Sequence, residues 1–263
     1  MKNNSFLISF LLIVIMLAAG CTSEYNLATG KEENLLYNNT EKEMNIGTSV
    51  AHEIEKQMKF VTDIDSNARV QRVFDRITAV CDRKDIVYTV RIIDDETINA
   101  FSIPGGFVYI HKGLLAKIKD DDQLAAVLGH EVGHITAKHA LKRIQNSYGA
   151  LLMQVAAVGS GNANLAVGVN AIMTSLYFAY SQEDEFQADQ LGIKYMKRAG
   201  YDPNKMIDVF KILKREEEKA PPGQPNYFRT HPYPNERMAN VNKVINGQIG
   251  FRDYLNLTGD DKK

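Results

Sequence analysis

The feature that most constrains this chain is the pentapeptide HEVGH at residues 130–134, which lies in a stretch with helical periodicity. Its two histidines are four residues apart, so on a helix both imidazoles leave the same face one turn from each other. Two neutral imidazoles at that separation can hold one zinc ion. Glu131 is placed to reach a water molecule on that ion without becoming a ligand. The pattern therefore predicts a helix that carries two metal ligands, His130 and His134, and a carboxylate base.

The flanking residues favour a well-capped helix against which another element packs closely. Three aspartates at 120–122 offer an N-cap and negative charge to a helix that we expect to run to about Gln145. Gly129 and Gly133 stand beside the two histidines, and an interior glycine costs a helix about 1 kcal/mol. Glycine at these positions is favoured where another backbone packs too closely for a side chain. The two glycines therefore predict close approach of another backbone.

A second segment offers the third ligand that a catalytic zinc site needs beside one open position. Residues 183–192 have the sequence EDEFQADQLG and are expected to be helical, which places Glu185 and Asp189 on one face. One of these carboxylates can ligate the ion while the other hydrogen-bonds a ligand histidine from behind and fixes its tautomer. An acidic helix segment is otherwise most often a solvated face, and without the HEVGH helix that interpretation is the better one.

Four motifs in a fixed order make the sequence similar to a known family. In chain order they are NAFSIPGGFVYIHKGLL, HEVGHITAKHA, SQEDEFQADQLG and RTHPYPNERM, and together they span about residues 97–238. This set resembles the gluzincin zinc metallopeptidases related to HtpX and the CAAX prenyl endopeptidases. Because the chain lacks their transmembrane helices, it resembles most the exported BepA/LoiP-like lipoprotein branch of that family.

The resemblance implies a mainly helical α+β fold of the zincin type, with a small β-sheet, an HExxH active-site helix and one Zn²⁺ per chain. It implies that His130, His134 and Glu185 bind the zinc and that Glu131 is the general base. In the family's E-x-x-A-D pattern the glutamate is the ligand, so Asp189 becomes the partner behind a ligand histidine. The implied mechanism is attack of a zinc-activated water on a peptide carbonyl, with Glu131 first accepting and then donating the proton.

The resemblance also suggests roles outside the two helices. The segment at Asn99 and Ala100 is expected to be an edge strand that lines the cleft, where an extended substrate can add through main-chain hydrogen bonds. His231 lies in the proline-rich segment 219–237. It is either a turn histidine or, as the resemblance suggests, a removable fourth zinc ligand or an oxyanion stabiliser. Arg237 is expected to anchor the same segment or to orient substrate.

The N-terminus has the pattern of an export signal. An apolar run over residues 6–17 follows Lys2 and leads to the small-residue sequence AAGC at residues 18–21. The cysteine after Ala-Ala-Gly resembles a bacterial lipobox, which implies removal of residues 1–20 and lipidation of Cys21. The alternative is an ordinary signal peptide or a membrane anchor with an incidental cysteine.

The rest of the chain divides by pattern into a polar, irregular tether at 21–40, a metallopeptidase domain at 41–250 and a polar tail at 251–263. Residues 149–179 are apolar but interrupted by Gly, Asn and Gln, which favours buried core helices over a membrane span. The alternative is an amphipathic segment that leans on the membrane. The proline-rich segment is expected to be a surface or lid-like loop. The periodicities further predict helices over 41–60, 66–82, 181–199, 203–219 and 235–246, and strands over 86–93, 97–102 and 107–110.

Charge and cysteine content disfavour several classes of protein. Lys and Arg number 31 against 32 Asp and Glu, so a net charge of −1 gives no indication of nucleic acid. After export only Cys81 remains, and its apolar helical position favours a buried small hydrophobe over a nucleophile. A purely structural zinc site, which usually includes cysteines, is disfavoured for the same reason. His139 is expected to form a structural hydrogen bond, and His52 and His111 are expected to be exposed.

Together these features predict an exported, lipid-anchored zinc endopeptidase on the periplasmic face of the cell envelope, at the outer membrane if the source has one. Its expected partners are protein or peptide substrates, the membrane through the anchor, and components of outer-membrane assembly; its expected substrates are misfolded envelope proteins. The alternative is a chaperone or assembly factor that binds unfolded clients and rarely cuts them.

Overall fold

The computed structural model describes residues 23–26, 31–34, 40–143, 179–219 and 227–248, the first two ranges as backbone only. The predicted signal (1–20), Cys21, the tail (251–263) and nearly all of the apolar stretch 149–179 lie outside these residues. The strands are β1 (Ser23–Asn26), β2 (Lys31–Asn34), β3 (Thr89–Ile93), β4 (Ala100–Ile103) and β5 (Phe107–His111). The helices are α1 (Thr40–Gln57), α2 (Ile64–Val80), α3 (Lys112–Leu115), α4 (Asp121–Thr136), α5 (Gln182–Arg198), α6 (Lys205–Lys219), α7 (Tyr227–Thr230) and α8 (Pro234–Ile245).

The expected mainly helical α+β fold with a small sheet is confirmed. Strands β3, β5 and β4 form a three-stranded sheet in that order, with β5 parallel to β3 and antiparallel to β4. The β4–β5 connection is the tight bend predicted at Pro104-Gly105-Gly106. Gly105 has φ 82° and Gly106 has φ 96°, a region of backbone conformation that favours glycine. The hairpin therefore places β4 at one edge of the sheet.

Helix α4 is the centre of the core, because every residue from Gln123 to Thr136 is buried. A helix buried on all sides lies in the interior of the domain, with other elements packed on each of its faces. Helix α2 contributes the apolar stripe that its i, i+3, i+4 spacing predicted, with Val70, Val73, Phe74 and Ile77 all buried. Each such side chain contributes about 1.5–3 kcal/mol through removal of apolar surface from water. Within the described residues, none of the helices has the length and apolar character needed to cross a membrane.

A buried ion pair joins α1 to the sheet and to α4. Glu43 of α1 receives two hydrogen bonds from the Arg83 guanidinium, at 2.9 and 2.7 Å. The same carboxylate accepts the backbone N–H of Gly105 in the hairpin turn at 3.1 Å. Arg83 also donates to the carbonyl of Ile135 near the end of α4, at 3.3 Å. The pair therefore fixes α1, the hairpin turn and the end of α4 relative to one another.

Two secondary-structure predictions are wrong, one for the end of a helix and one for the tether. The helix expected to run to Gln145 ends at Thr136, because Lys138 has φ 56° and breaks the run before residues 139–143 resume as helix. The apolar pattern continues across the break, so periodicity does not reveal it. The tether predicted as irregular contains the antiparallel pair β1–β2. Its residues are polar, and pairing of polar strands leaves no apolar alternation to detect.

Two predictions of exposure are also wrong. Part of the described end of the proline-rich segment is buried, because Tyr227 and Phe228 pack into the core as part of α7. His111 is 8% exposed rather than free, and its Nδ1 lies 3.2 Å from a carboxylate oxygen of Asp95. His52 is exposed and Cys81 is buried, as expected.

Candidate metal centre

Four side chains converge on one point in the core. The Nε2 atoms of His130 and His134 are 3.0 Å apart, and His231 Nδ1 lies 3.3 Å from His130 Nε2. Glu185 Oε1 lies 3.4 Å from His134 Nε2 and 3.1 Å from His231 Nδ1. One ligand atom from each of the four residues lies within 4.8 Å of all the others, and none of the residues is more than 2% exposed. The sequence-predicted ligands are therefore brought together.

The packing of α4 on α5 sets this geometry. An added Cβ on Gly129 would lie 3.3 Å from the backbone oxygen of Gly192, and one on Gly133 would lie 2.7 Å from that of Ala188. The predicted close approach of another backbone is thus confirmed, and α5 is that backbone. A capping box at Ser181 starts α5, which places Glu185 in its first turn facing the histidines.

His130 is supported from behind by a buried ion pair. Its Nδ1 lies 2.9 Å from Asp189 Oδ1, while Glu185 faces the cluster. Arg237 of α8 donates to both oxygens of Asp189, at 2.8 and 2.7 Å, and also contacts Glu185. Its Nη1 donates to the main-chain carbonyl of His231 at 3.3 Å. Arg237 therefore anchors the proline-rich segment, one of the two roles expected for it.

His134 is supported by a different set of residues, which sequence reasoning missed. Its Nδ1 lies 2.9 Å from Nδ1 of His139, and His139 Nε2 lies 2.9 Å from Gln187 Oε1. The ring of Tyr180 stacks on the His134 imidazole, with centroids 4.0 Å apart. His139 does form the hydrogen bonds expected of it, but its partner is a candidate metal ligand. The helix break before it brings it back to His134, and no spacing rule anticipates that.

His231 is held in the cluster rather than on the surface. Tyr227 stacks against its ring at a centroid separation of 4.4 Å and an interplanar angle of 18°. The Tyr180 ring lies on another side, 5.5 Å away. The sequence signal for this position was the resemblance at the RTHP segment, and no local period reveals the two stacking partners. The imidazole is fully buried.

Glu131 points towards the same cluster but is not one of the four converging donors. Its Oε2 accepts a hydrogen bond from the Ser102 hydroxyl of β4 at 3.0 Å. Its Oε1 is buried without a hydrogen-bond partner, and so is Nε2 of His231, which lies 3.6 Å from it. Buried polar atoms are nearly always partnered. These two atoms lack a hydrogen-bond partner beside the four donors.

Burial and charge set the protonation of the cluster. Burial alone would raise the pKa of Glu185, but Arg237 and the surrounding histidines hold it well below its usual range. The pKa of Asp189 is likewise lowered by Arg237 against the effect of burial. Burial lowers the pKa of His134 well below its usual value and that of His139 to about 4. The carboxylates are therefore ionised and these two imidazoles neutral at pH 7, the states that bind a cation.

The residues present fit a divalent metal ion. Metal–nitrogen bonds of about 2.0–2.1 Å in a tetrahedral site separate the ligand atoms by about 3.3 Å. Five distances between donor atoms of these residues, 3.0 to 3.6 Å, are close to that spacing. Ring nitrogens at 3.0 Å cannot all present lone pairs to one another without a cation or proton between them. The unpartnered atoms beside them point to the same conclusion.

Strand β4 borders the cluster, and the main-chain groups of its alternate residues are not paired with β5. The carbonyl of Asn99 accepts the N–H of His111 at 2.9 Å, so these two residues form a hydrogen-bonded pair. Alternation along an antiparallel ladder then directs the N–H and C=O groups of Ala100 and Ser102 away from β5. Within the described residues no further strand pairs with β4. Of the two residues predicted to line a cleft, Ala100 therefore has the outward-facing groups.

Comparison with known proteins gives a family for this arrangement. The family described as peptidase family M48 matches residues 65–245. A putative beta-barrel assembly-enhancing protease of Vibrio cholerae is 27% identical over 75% of this chain and 43% of its own length. Mitochondrial metalloendopeptidase OMA1 of Schizosaccharomyces pombe is 30% identical over 67% of this chain and 52% of its own. The beta-barrel assembly-enhancing protease of Escherichia coli is 29% identical over 59% and 34%.

The chain spans about half or less of the length of these curated relatives. The family match, in contrast, covers more than half of the chain and includes α4, α5 and the described end of the proline-rich segment. All four converging donors lie inside the matched residues. On this extent of similarity, the chain belongs to peptidase family M48.

Proposed function

We propose that this chain is a zinc-dependent endopeptidase. The observation that carries the proposal is the convergence of His130, His134 and Glu185 beside a buried, unpartnered oxygen of Glu131. Two imidazoles and one carboxylate are the protein ligands of a hydrolytic zinc site, which keeps a further position open. Imidazole and carboxylate donors without thiolate also suit zinc over softer metals.

In this proposal the chain's own residues hold the ion and move one proton. His130, His134 and Glu185 bind the ion, which when present supplies a Lewis acid that lowers the pKa of water and polarises a carbonyl. Glu131 takes the proton of the attacking water on Oε1 and returns it to the leaving amine. The Ser102 hydroxyl keeps Glu131 in place through Oε2. Such a general base contributes about 10²- to 10⁴-fold in rate.

The substrate is proposed to add to the edge of β4 as an extended strand. Support comes from the outward N–H and C=O groups of Ala100 and Ser102, next to the side chain that holds Glu131. The variant Ala100→Pro removes one outward N–H. A lost hydrogen bond is worth about 0.5–1.5 kcal/mol, so KM for a peptide substrate should rise about two- to tenfold. An unchanged KM would argue against this docking mode.

His231 is proposed to be the removable fourth ligand. Support comes from its Nδ1, which lies 3.3 Å from His130 Nε2 and 3.1 Å from Glu185 Oε1. A site closed by four protein donors has no position for water, so His231→Ala should increase cleavage and weaken metal retention. The other role, oxyanion stabilisation, predicts a loss of about 10²- to 10³-fold in kcat with unchanged metal affinity. No change in either quantity contradicts both roles.

The setting is proposed to be the cell envelope, with the chain lipid-anchored through Cys21 on the periplasmic face and acting on misfolded envelope proteins. Support comes from the apolar run and the AAGC sequence at the N-terminus. Two of the similar proteins carry beta-barrel assembly in their names. Radiolabelled palmitate should be incorporated into wild type and not into Cys21→Ser. Equal labelling of wild type and Cys21→Ser would contradict lipidation of Cys21.

The test of the peptidase activity is Glu131→Gln, which removes the base and keeps the side-chain volume. We expect cleavage of unfolded casein by the variant to fall at least 10²-fold while bound zinc, measured by elemental analysis, stays at one ion per chain. The matched control is Glu96→Gln, because the Glu96 carboxylate is exposed. This variant should cleave casein at the wild-type rate. Wild-type cleavage by Glu131→Gln would contradict the proposal.

The second candidate is a chaperone or assembly factor, favoured by the complete burial of Glu131 and His231. A closed site leaves the outer surface free to bind clients without cutting them. Full complementation of a deletion strain by Glu131→Gln would favour binding. Loss of complementation with zinc retained would favour proteolysis. Peptides released from a denatured envelope extract by wild type, and not by the variant, would identify the clients.

A further inference from the structure

The Nδ1 atom of His134, which faces away from the other donors, has a buried partner, His139. His134 turns Nε2 towards the other donors and Nδ1 towards His139, whose Nδ1 is 2.9 Å away. His139 Nε2 faces two oxygen atoms, Gln187 Oε1 at 2.9 Å and Asp184 Oδ1 at 3.4 Å. His139 is fully buried. The left-handed backbone at Lys138 makes the contact possible, because it turns the chain back towards α4.

The chemistry of these atoms fixes the direction of both hydrogen bonds. An amide oxygen and a carboxylate oxygen only accept, so Nε2 of His139 carries the hydrogen. In a ring with its one hydrogen on Nε2, Nδ1 of His139 is bare and accepts the Nδ1–H of His134 across 2.9 Å. With its hydrogen on Nδ1, His134 has a bare Nε2 whose lone pair points at the cluster. The chain of bonds therefore selects the one neutral tautomer of His134 that can bind a metal there.

We propose that His139 is a positioning residue that sets the tautomer and the rotation of His134 for a divalent metal ion. The inference rests on the proposed metal-dependent function. Tyr180 stacks on the face of the same imidazole at 4.0 Å, which fixes the plane of the ring but leaves its tautomer undetermined. Partners of this kind behind a ligand histidine change metal affinity by about 10- to 100-fold when they are removed.

The test compares three replacements of His139 in the full chain, with zinc affinity measured by competition with a chromogenic chelator. His139→Phe fills the volume without an acceptor and should bind zinc about 10- to 100-fold more weakly. His139→Asn places an amide oxygen near the Nδ1 position and should bind within about threefold of wild type. His139→Gln places its amide near the Nε2 position instead and should resemble the Phe variant. His52→Ala, on the exposed face of α1, is the unaffected control.

The outcomes separate this inference from the proposed function. If wild type binds no zinc, the proposed function and the inference both fail. If wild type binds zinc and His139→Phe binds it equally well, only the inference fails. Equal weakening in the Asn and Gln variants would assign the loss to packing and would also overturn it. If His139→Phe does not fold, the Asn variant must still bind more tightly than the Gln variant, and the reverse order contradicts the proposal.

Discussion

The two histidines of α4 are supported from behind by chemically different partners. Behind His130 stands a carboxylate, Asp189, which is itself held through both oxygens by the buried guanidinium of Arg237. Behind His134 stands the neutral imidazole of His139, which ends on uncharged Gln187 as its nearest partner. One side is a buried ion pair, and the other is a chain of neutral side chains with the part-exposed Asp184 carboxylate 3.4 Å beyond it.

The difference separates two tasks that a metal centre must perform. A carboxylate raises the basicity of the ligand behind which it stands, and its charge requires a buried counter-ion. The neutral side fixes a tautomer without adding charge to a core that already holds Glu185 and Asp189. We therefore expect the ionic side to govern the stability of the fold and both sides to govern metal affinity.

The largest expected effect is on the ionic side. Asp189→Ala leaves the buried Arg237 with Glu185 as its one carboxylate partner, and breaking a buried pair costs about 3–5 kcal/mol. Because one carboxylate remains, we expect the free energy of unfolding of the metal-free protein, measured with urea, to fall by about 3 kcal/mol. The control Asp208→Ala removes a carboxylate that is 42% exposed and should change stability by no more than about 1 kcal/mol. A loss in Asp189→Ala as small as the control's would contradict the assigned difference.

A smaller effect distinguishes the two sides through the helix contact. Alanine at Gly133, beside His134, would place its Cβ 2.7 Å from the Ala188 carbonyl oxygen, whereas at Gly129, beside His130, the nearest atom is 3.3 Å away. Overpacking costs about 1–3 kcal/mol, partly offset by about 1 kcal/mol of helix propensity at either position. Gly133→Ala should therefore be less stable than Gly129→Ala in urea unfolding. The opposite order would show that the α4–α5 contact is looser at the His134 end.

The smallest effect is expected at the far end of the neutral side. Gln187→Leu removes the nearer acceptor of His139 Nε2, but Asp184 Oδ1 at 3.4 Å remains. A net hydrogen bond of about 0.5–1.5 kcal/mol gives at most about a tenfold loss of zinc affinity by chelator competition. Gln190→Leu on the same helix is the control. A loss larger than that of His139→Phe would place the orienting group at Gln187 instead.

The sequence predicted the parts of the centre that follow from helix periodicity. The four-residue spacings put His130 with His134, and Glu185 with Asp189, on shared helix faces, and α4 and α5 keep both faces together. The glycines beside the histidines indicated a close contact, because glycine destabilises a helix interior unless a side chain has no space there. Which carboxylate faces the cluster did not follow from spacing, since both lie on one face.

Other parts depend on tertiary contacts or on single backbone angles. The support of His134 by His139 depends on a left-handed Lys138, and lysine is not a residue that signals such a conformation. The burial of His231 depends on Tyr227 stacking against it, whereas the proline content around it predicted a surface loop. The contact of Ser102 with Glu131 depends on how β4 lies along α4. None of these has a local period.

Anomalous diffraction at the zinc absorption edge tests most directly whether one metal ion binds between His130, His134 and Glu185. Crystals of zinc-loaded protein should give a single peak within about 2.0–2.2 Å of His130 Nε2, His134 Nε2 and a Glu185 oxygen. The absence of a peak there, in protein that cleaves unfolded casein, would contradict the account.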